Sequence, residues 1–490
     1  MIFVTLVTTI LIYFSCKLWR GRKKNPNGPL PLPLIGNLHQ LVYNSWKTGG
    51  IVAGFQVFKK QYGKFFTLWF GPIPIVFIAD YDIAYETHVK KANIFGHRFT
   101  TGVMNYIREG RGIIGSNGAF WQEHRRFALT TLRNFGLGKN IMEDRIMDEY
   151  RYRLLKNSRK NGVIEVNAAT MFDLLVGSII NRMLVSKRFE QGNLEFETMK
   201  VYLTKALEEV SIFEAFLPVW LLKSNLLRWR TKYTLAPVEY IYSLVQKEIQ
   251  ERTTSIENGS HVPSEDGDDF VDAFLIKIEK DKKEGIDSTF TLESLAIDLF
   301  DLWLAGQDTS STTLLWAGIC LLNHPEVVEK LRSELLEVTG GIRRLSLTDR
   351  ARTPYLMAVL NEIQRIASIL NINIFRELRE DTEIDGQPIA AGTVVANQLS
   401  MIHTDEELFE DHTRFDPERF IENSTLEKKL IPFNLGKRSC PGESLARAEL
   451  YLIIGNLVLD FDFEAVGIKP EIKTSTPFGI MKRPPNYISD

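Results

Sequence analysis

A short segment near the carboxyl end of the chain combines residue types that suit a metal thiolate. Phe433, Gly436, Arg438, Cys440 and Gly442 follow one another at short intervals. At average amino-acid usage, this pattern should arise by chance in on the order of one in 10,000 chains of this length. The pKa of a cysteine falls beside basic side chains and at a helix N-terminus. A lone loop cysteine is more often structural, but this spacing favours a metal ligand.

Two pairs of side chains share helical faces elsewhere in the sequence. Glu362 and Arg365 are three residues apart in "NEIQR", and Trp121 and Arg125 are four apart in "WQEHRRF". Residues at these spacings are neighbours on a helix surface. The first pair, taken alone, predicts a surface ion pair worth roughly 0.2–0.5 kcal/mol. The second predicts either a stacked aromatic and cation or two side chains that reach one ligand.

A long apolar segment carries a further candidate site. Residues from Leu292 to about Leu322 are apolar all round, which predicts a central helix buried by its neighbours. Within it, "AGQDTSS" places Gly306 three residues before Thr309, whose hydroxyl is expected to bond back to the carbonyl of Ala305. Both features would bend the helix and open a groove on one face. Close packing of the Ala-Gly pair against a neighbouring helix is the alternative.

The remaining pattern indicates which elements position these residues. Lys64 to Asp80 is rich in aromatic and β-branched residues and is broken by Gly71-Pro72, which predicts a small hairpin. Later segments have a helical period, with a break at Asn323-His324-Pro325 and a helix start near Glu443. Thr253 to Asp269 is typical of a surface loop. The fold class is therefore mainly α with a small β portion, in one large domain.

Composition excludes several classes of protein. The chain has 490 residues, of which 44% are hydrophobic and 24% charged, as expected for a large globular core. The net charge of -2 argues against nucleic acid as a partner. The three cysteines, Cys16, Cys320 and Cys440, are distant from one another and predict neither a disulfide framework nor a zinc site.

The N-terminus carries the one strong targeting signal. Ile2 to Leu18 is apolar or weakly polar apart from Lys17, and a helix of this length reaches about 26 Å, close to the roughly 30 Å hydrocarbon core. Basic residues follow it, which places the rest of the chain in the cytosol. We therefore expect a membrane anchor with a basic stop-transfer over residues 1–25 and a catalytic domain over 26–490, joined by a stiff proline-rich spacer. A buried core helix is the alternative for the first segment.

From Phe433 to Gly442 the chain resembles the haem-binding loop of the cytochromes P450. The resemblance extends over nearly the whole chain from Pro29 onward and is closest to the microsomal, drug-metabolising, family 2-like clan. It implies a cytochrome P450 fold, a single large haem domain behind an N-terminal membrane helix. It also implies haem b with Cys440 as the iron ligand, Phe433 shielding the sulfur and Arg438 pairing with a propionate.

The resemblance assigns further roles by motif. "AGQDTSS" matches the family's Ala-Gly-x-Asp/Glu-Thr, which implies that Asp308 and Thr309 are the catalytic pair that manages proton delivery to oxygen. "NEIQR" matches its Glu-x-x-Arg, and "FDPERF" supplies the third partner. This implies a buried structural cluster of Glu362, Arg365 and Arg419.

The resemblance also implies contacts for haem and substrate. Those for haem would come from Arg98, Trp121, Arg125, Arg376, Phe433, Arg438 and Gly442. Arg376 departs from the family, because many microsomal members have histidine there. Those for a lipophilic substrate would come from Phe213, Phe216, Phe300, Trp303, Ala305, Leu370 and Phe478. Ordinary core packing is the alternative for each of these.

The implied activity is insertion of one oxygen atom from O2 into a xenobiotic, fatty acid or steroid. Electrons would come from an NADPH-dependent cytochrome P450 reductase, with cytochrome b5 as a second donor, at the endoplasmic reticulum membrane. Basic side chains on the side of the haem that carries the cysteine would steer the reductase into place; they are Arg125, Arg126, Arg133, Lys139 and Lys437. The alternative is that these charges are simply exposed to solvent. Two other functions stay open, namely a haem-thiolate isomerase or dehydratase, against which the presence of Asp308 and Thr309 argues, and a non-catalytic haem-binding sensor or carrier.

Overall fold

The structure is a computed structural model that describes residues 9, 12–13, 16, 21–22, 25–136, 140–155, 163, 165–208 and 216–485. The membrane anchor predicted over residues 1–25 lies largely outside these residues. Phe213 and Lys139 also lie outside them.

Helices dominate the described chain, which confirms the mainly α fold class. In chain order they are Leu38–Thr48 (α1), Ile51–Tyr62 (α2), Tyr81–Tyr85 (α3), Gly102–Arg108 (α4), Gly118–Asn134 (α5), Asn140–Tyr150 (α6), Ala168–Val185 (α7), Leu194–Glu208 (α8), Val219–Leu222 (α9), Arg228–Glu257 (α10), Phe270–Lys283 (α11), Leu292–Asn323 (α12), Pro325–Thr339 (α13), Pro354–Ala367 (α14), Leu399–His403 (α15), Glu418–Glu422 (α16), Thr425–Lys429 (α17) and Glu443–Asp460 (α18). Short π-helical turns cover Glu86–Lys90 and Arg151–Leu155, and 3-10 turns cover Leu347–Arg352 and Gly436–Arg438.

A small sheet holds the N-terminal part of the chain together. The strands are Phe65–Phe70 (β1), Ile73–Ile78 (β2), His97–Arg98 (β3), Arg376–Glu377 (β4), Thr382–Ile384 (β5), Gln387–Ile389 (β6) and Val394–Asn397 (β7). The five-stranded sheet has the order β1-β2-β7-β4-β3, while β5 and β6 form a separate hairpin. The predicted hairpin of β1 and β2 is confirmed. At the far edge, β3 and β4 pair so that Arg98 stands directly opposite Arg376.

The predicted central helix is α12, which runs unbroken from Leu292 to Asn323 and is buried over most of its length. Thr291 and Ser294 form a reciprocal capping box at its N-terminus, which satisfies backbone donors that a helix start leaves free. α12 packs against α7, α10, α14 and α18, so it forms the centre of the helical core. Pro325 then begins α13 as predicted.

The alternative interpretation of Gly306 is confirmed. A Cβ at this position would lie 2.7 Å from Cγ1 of Ile180, so the glycine allows α7 to approach α12 closely. The structure therefore assigns Gly306 to helix packing rather than to a break in the helix.

Two other segments add to or differ from the sequence predictions. The proline-rich segment, predicted to be a stiff spacer, also packs against the sheet, because the amide of Thr67 on β1 donates to the carbonyl of Asn27 at 3.0 Å and a Cβ on Gly28 would collide with the Thr67 carbonyl. The loop predicted from Thr253 begins later, because α10 continues to Glu257 before the chain turns at Gly259.

Among the described residues, α7 is the helix long and apolar enough to cross a membrane by length and composition. Since 67% of it is buried within the protein, core packing accounts for its apolar character equally well.

Candidate functional site

Cys440 lies in a loop that ends where α18 begins. The amide of Cys440 donates to the carbonyl of Phe433 at 2.9 Å, which closes the loop. Cys440 is exposed on one side, while protein surrounds most of its thiol. Burial and the charge of Glu443 raise the pKa of the thiol above its ordinary value, although the amide of Gly442, which donates to the sulfur, and the nearby Arg125 oppose this shift. The sulfur can therefore bind a ligand on its open side and already has groups that favour a thiolate.

Gly436 allows this loop to lie close to the backbone of the π-helical turn that contains His88. It has φ 74°, and a Cβ on it would lie 1.8 Å from the carbonyl oxygen of His88. A side chain at this position would push the cysteine loop away from the segment 86–90. The glycine thus serves packing between two parts of the protein.

Four arginines converge beside this loop from elements distant in sequence. Arg98 on β3 and Arg376 on β4 are cross-strand neighbours, Arg438 precedes the cysteine, and Arg125 lies on α5. Arg98, Arg376 and Arg438 are buried. Burial and mutual repulsion lower the pKa of Arg438 to about 8 and that of Arg98 to about 10, and they also lower the pKa of Arg376. So many buried cations require an anion.

Free hydrogen-bond donors in the same cluster point to the kind of anion. Arg438 donates to the carbonyls of Gly96 at 3.0 Å and Ser116 at 2.7 Å, but its Nη1 has no partner. Nε of Arg376 and Nε1 of Trp121 are likewise buried without a partner. The Arg438 guanidinium stacks 3.6 Å from the Trp121 ring centre. These donors fit the two carboxylates of haem, so the residues present suit the group that the resemblance implies.

An open cleft separates the cysteine loop from the central helix. Thr309 and Thr313 of α12 line one side, and Phe433 and Ala446 line the other. The Thr309 hydroxyl donates to the carbonyl of Ala305 at 2.9 Å, as predicted, and Ala305 is exposed one turn earlier on the same helix. The structure thus places Thr309 and Thr313 across a slot from Phe433 of the cysteine loop.

Asp308 is not brought to this slot. Its carboxylate is buried and is held by Nζ of Lys200 at 2.9 Å and by Nη2 of Arg483 at 2.5 Å. Burial opposes ionisation, but these two cations lower the pKa of Asp308 below its ordinary value. Lys200 also pairs with Asp173 at 2.8 Å, so a charged network ties α7, α8 and the C-terminal segment to α12. Sequence reasoning missed Lys200 and Arg483, although a buried acid in an apolar helix signals a cationic partner.

The candidate substrate residues fall into four groups. Leu370 lines the cleft, and Ala305 is exposed one turn before Thr309, which also lines it. Phe216 lines a separate open pocket with residues 99–102. By contrast, Phe300 and Trp303 are buried in the core, where the Trp303 indole donates to Asn181 of α7 at 3.0 Å. Phe478 is exposed, and the structure places it in neither cavity.

The predicted structural cluster is present. Glu362 accepts two hydrogen bonds from Arg365, both at 2.7 Å, and a third from Arg419 at 3.3 Å. The side chains of Glu362 and Arg365 are fully buried. The amide of Asp416 also donates to Glu362 at 2.9 Å. The cluster joins α14 to α16, which lies N-terminal to the cysteine loop.

The buried carboxyl group of Glu449 should make the stability of the folded protein depend on pH. It is buried on α18, its Oε1 has no partner, and burial raises its pKa to about 8 from an ordinary 4.5, although a hydrogen bond with Ser310 opposes this. The unfolded chain therefore loses this proton at lower pH than the folded protein, so stability falls as pH rises from about 4.5 to about 8. We expect Glu449→Gln to match the natural protein at pH 4.5 and to unfold at higher temperature at pH 8.

Thermal unfolding of both proteins across this pH range tests the expectation. Each pKa unit is worth about 1.4 kcal/mol, so the largest difference would be a few kcal/mol. A difference that does not grow with pH would contradict a neutral Glu449 in the fold.

Comparison with known proteins agrees with this arrangement. The family model described as cytochrome P450 matches residues 26–489. The chain is 39% identical to the probable cytochrome P450 cyp-35D1 of Caenorhabditis elegans, over 99% of this chain and 98% of that protein. It is 33% identical to cytochrome P450 2C20 of Macaca fascicularis and to cytochrome P450 2C8 of Homo sapiens, each over 99% of this chain and 98% of the relative. The chain therefore belongs to the cytochrome P450 family and is a haem monooxygenase.

Proposed function

We propose that Cys440 is the haem ligand of a monooxygenase that oxidises lipophilic substrates. The observation that supports this is the position of the loop that carries Cys440: its residue Phe433 lines the slot opposite Thr309, the amide of the exposed Cys440 donates to the Phe433 carbonyl, and Arg125 of the arginine cluster lies near the sulfur. Cys320, by contrast, is fully buried within α12, and burial raises its pKa far above the ordinary value. A thiol in that position can neither reach the slot nor ionise readily.

The residues around the slot have distinct roles in this proposal. Arg98, Arg376 and Arg438 hold the haem propionates together with Trp121 and Arg125. Phe433 covers the sulfur from the loop side, and Gly442 donates its amide to the sulfur. Bound haem with a thiolate ligand supplies dioxygen activation and cleavage of the O–O bond.

On the opposite side of the slot, α12 manages substrate and protons. Ala305 offers a small side chain beside Thr309, which leaves room for a substrate over the cleft. The Thr309 hydroxyl already donates to a backbone carbonyl, so its oxygen is oriented to accept a proton donor such as water. Asp308 acts in proton delivery only if Lys200 and Arg483 release its carboxylate.

The substrate class follows from the lining. The cleft is lined mainly by apolar side chains such as Leu370, Leu399 and Leu450, and Phe99 and Phe216 line the second cavity. Such surfaces select for shape and hydrophobicity more than for hydrogen-bonding groups. We therefore propose xenobiotics, fatty acids or steroids as substrates.

The electron donor is proposed to be an NADPH-dependent reductase, with cytochrome b5 as a second donor. Arg126, Arg133 and Lys437 are exposed, whereas Arg125 is turned inward, with its Nη2 2.7 Å from the carbonyl of Ser439. Exposed cations near the cysteine loop would attract an acidic partner surface.

Charge reversal at Lys437 tests this surface. We expect Lys437→Glu to raise the apparent KM for the reductase by about two- to ten-fold at low salt and to reduce the salt dependence of turnover. Lys283→Glu, at an exposed lysine ending α11, is the matched control. An unchanged KM for the reductase in Lys437→Glu would contradict docking at this surface.

Location at the endoplasmic reticulum membrane is proposed from the N-terminal anchor predicted over residues 1–25. Large apolar side chains on α9, at the start of α10 and in the turn between them support membrane contact by the domain over residues 26–490. Trp220, Leu226, Trp229 and Tyr233 are each more than half exposed. Aromatic side chains exposed together are typical of a surface that meets lipid.

Reconstitution tests the function as a whole. The full chain, the reductase and lipid vesicles are combined with NADPH and a panel of lipophilic compounds, and product and NADPH consumption are measured. We expect substrate-dependent NADPH use with oxygenated product. A haem-loaded protein that never consumes NADPH with the reductase present would instead support a sensor or carrier.

A further inference from the structure

His124 lies on α5 between two residues proposed to bind the haem propionates. Trp121 is one turn before it and Arg125 is the next residue, yet the His124 side chain points away from the arginine cluster toward α12. The side chains of His124 and its partner Asp298 are both fully buried. Histidine is rarely buried in this way without a specific role for its ring nitrogens.

Contacts on every side fix the orientation of the ring. Nδ1 lies 2.6 Å from Oδ2 of Asp298, and Nε2 lies 3.1 Å from the hydroxyl of Thr289. The ring is sandwiched between Phe120 and Phe290, with ring centres 3.9 Å and 4.4 Å away and planes within 12° and 10° of parallel. The imidazole therefore has one available position.

The hydrogen-bond directions identify where the protons lie. The Thr289 hydroxyl donates to the carboxylate of Glu123 at 2.8 Å, so its oxygen accepts from Nε2–H of His124. The remaining proton is shared between Nδ1 and the carboxyl of Asp298. Burial raises the pKa of Asp298 to about 6, although the bond to His124 opposes this shift. The pair thus holds one buried proton between α5 and α12.

Few other charges face the pair. On α5 the nearest is Glu123, and on α11 the ammonium of Lys277 lies 5.2 Å from the ring centre of Phe290. On α12, the negative charge of Asp301 raises the pKa of Asp298, although Arg108 pairs with Asp301 at 2.7 Å and offsets that charge. Protonation of the pair therefore changes the local charge mainly at the contact between α5 and α12.

We propose that His124 and Asp298 are positioning residues that hold α5 against the central helix so that Trp121 and Arg125 face the haem propionates. This rests on the proposed function. The pair acts through α5 and does not itself touch the cofactor. As pH falls below about 6, Asp298 takes up a proton, the ionic hydrogen bond weakens, and haem should be held less firmly.

Haem transfer from the full-length holoprotein to excess apomyoglobin tests the proposal. We expect Asp298→Asn and His124→Phe to lose haem about ten-fold faster at pH 7.5, which corresponds to about 1.4 kcal/mol. The phenylalanine keeps the ring sandwich. The natural protein should lose haem faster below pH 6, and this pH step should vanish in Asp298→Asn. His261→Phe, which removes a different His–Asp contact of 2.9 Å, should behave like the natural protein.

A double variant keeps the test decisive if a single variant does not fold. His124→Phe/Asp298→Leu removes both polar groups and leaves no buried charge unpaired, so it can replace the single variants in the haem-transfer measurement. Variants with a lower unfolding temperature but unchanged haem loss and an unchanged pH profile would overturn the proposal. The proposed function would then still stand, because ligation of haem by Cys440 is tested independently, by the absorption spectrum of the reduced protein with carbon monoxide bound.

Discussion

Replacement of Cys440 by alanine is expected to abolish the red-shifted absorption band that a thiolate-ligated haem gives when the reduced protein binds carbon monoxide. The reason is that the two other cysteines are unsuitable ligands: Cys320 is enclosed in α12, and the exposed Cys16 belongs to the N-terminal segment predicted to anchor the chain in a membrane. Oxygenated product should fall below detection, because the thiolate promotes O–O cleavage. Difference spectra of the purified variant, normalised to total haem, give the measurement.

Cys320→Ala is the matched control for the loss of a thiol. It removes a buried sulfur from the central helix and is expected to lower stability modestly while it keeps the band. Arg438→Leu gives an intermediate case, with less haem bound but with the band present in the bound fraction. If Cys440→Ala keeps the band, the ligand assignment is wrong.

Glu362→Gln should lower the stability of the folded protein more than Glu449→Gln, Asp298→Asn or Glu471→Gln. The substitution removes the charge on which four described hydrogen bonds converge, and it leaves the fully buried Arg365 without its counter-ion. Breaking a buried ion pair by neutralising one partner costs about 3–5 kcal/mol. We expect little folded, haem-containing protein at 37 °C and a clearly lower unfolding temperature for what remains.

An exposed pair provides the comparison for this prediction. Glu471 lies 2.6 Å from Lys473, and both side chains are more than half exposed. Glu471→Gln should leave the unfolding temperature almost unchanged, because solvent screens such pairs. Equal effects of the two substitutions would contradict a structural role for the Glu362 cluster.

The cluster also illustrates what a spacing alone leaves open. The three-residue interval of Glu362 and Arg365 predicts a shared helical face, and by itself it favours a surface pair. Burial is decided by the segment from His412 to Arg419, which covers the pair and accepts or donates further hydrogen bonds. Only the resemblance to the family anticipated this, through "FDPERF".

Asp308 and Thr309, the predicted catalytic pair, illustrate the opposite case. The back-bond of Thr309 to Ala305 is local and follows from residue type and helix geometry, so the sequence predicted it correctly. The orientation of Asp308 depends on Lys200 and Arg483, which are more than 100 residues away in either direction. No local pattern specifies which distant cations meet a buried carboxylate. The same holds for Phe300 and Trp303, whose neighbours are set by packing against α10 and α7.

The sequence by itself determined the features that depend on neighbouring residues. These are the hairpin at Gly71-Pro72, the long apolar helix, the start of α18 after the cysteine loop and the family to which the motif belongs. Only the tertiary structure decided which side chains meet: Arg98 opposite Arg376, Asp308 held by two cations, and His124 bonded to Asp298. The physical reason is that backbone preferences act over a few residues, whereas buried charges are satisfied by partners that chain folding brings from far away.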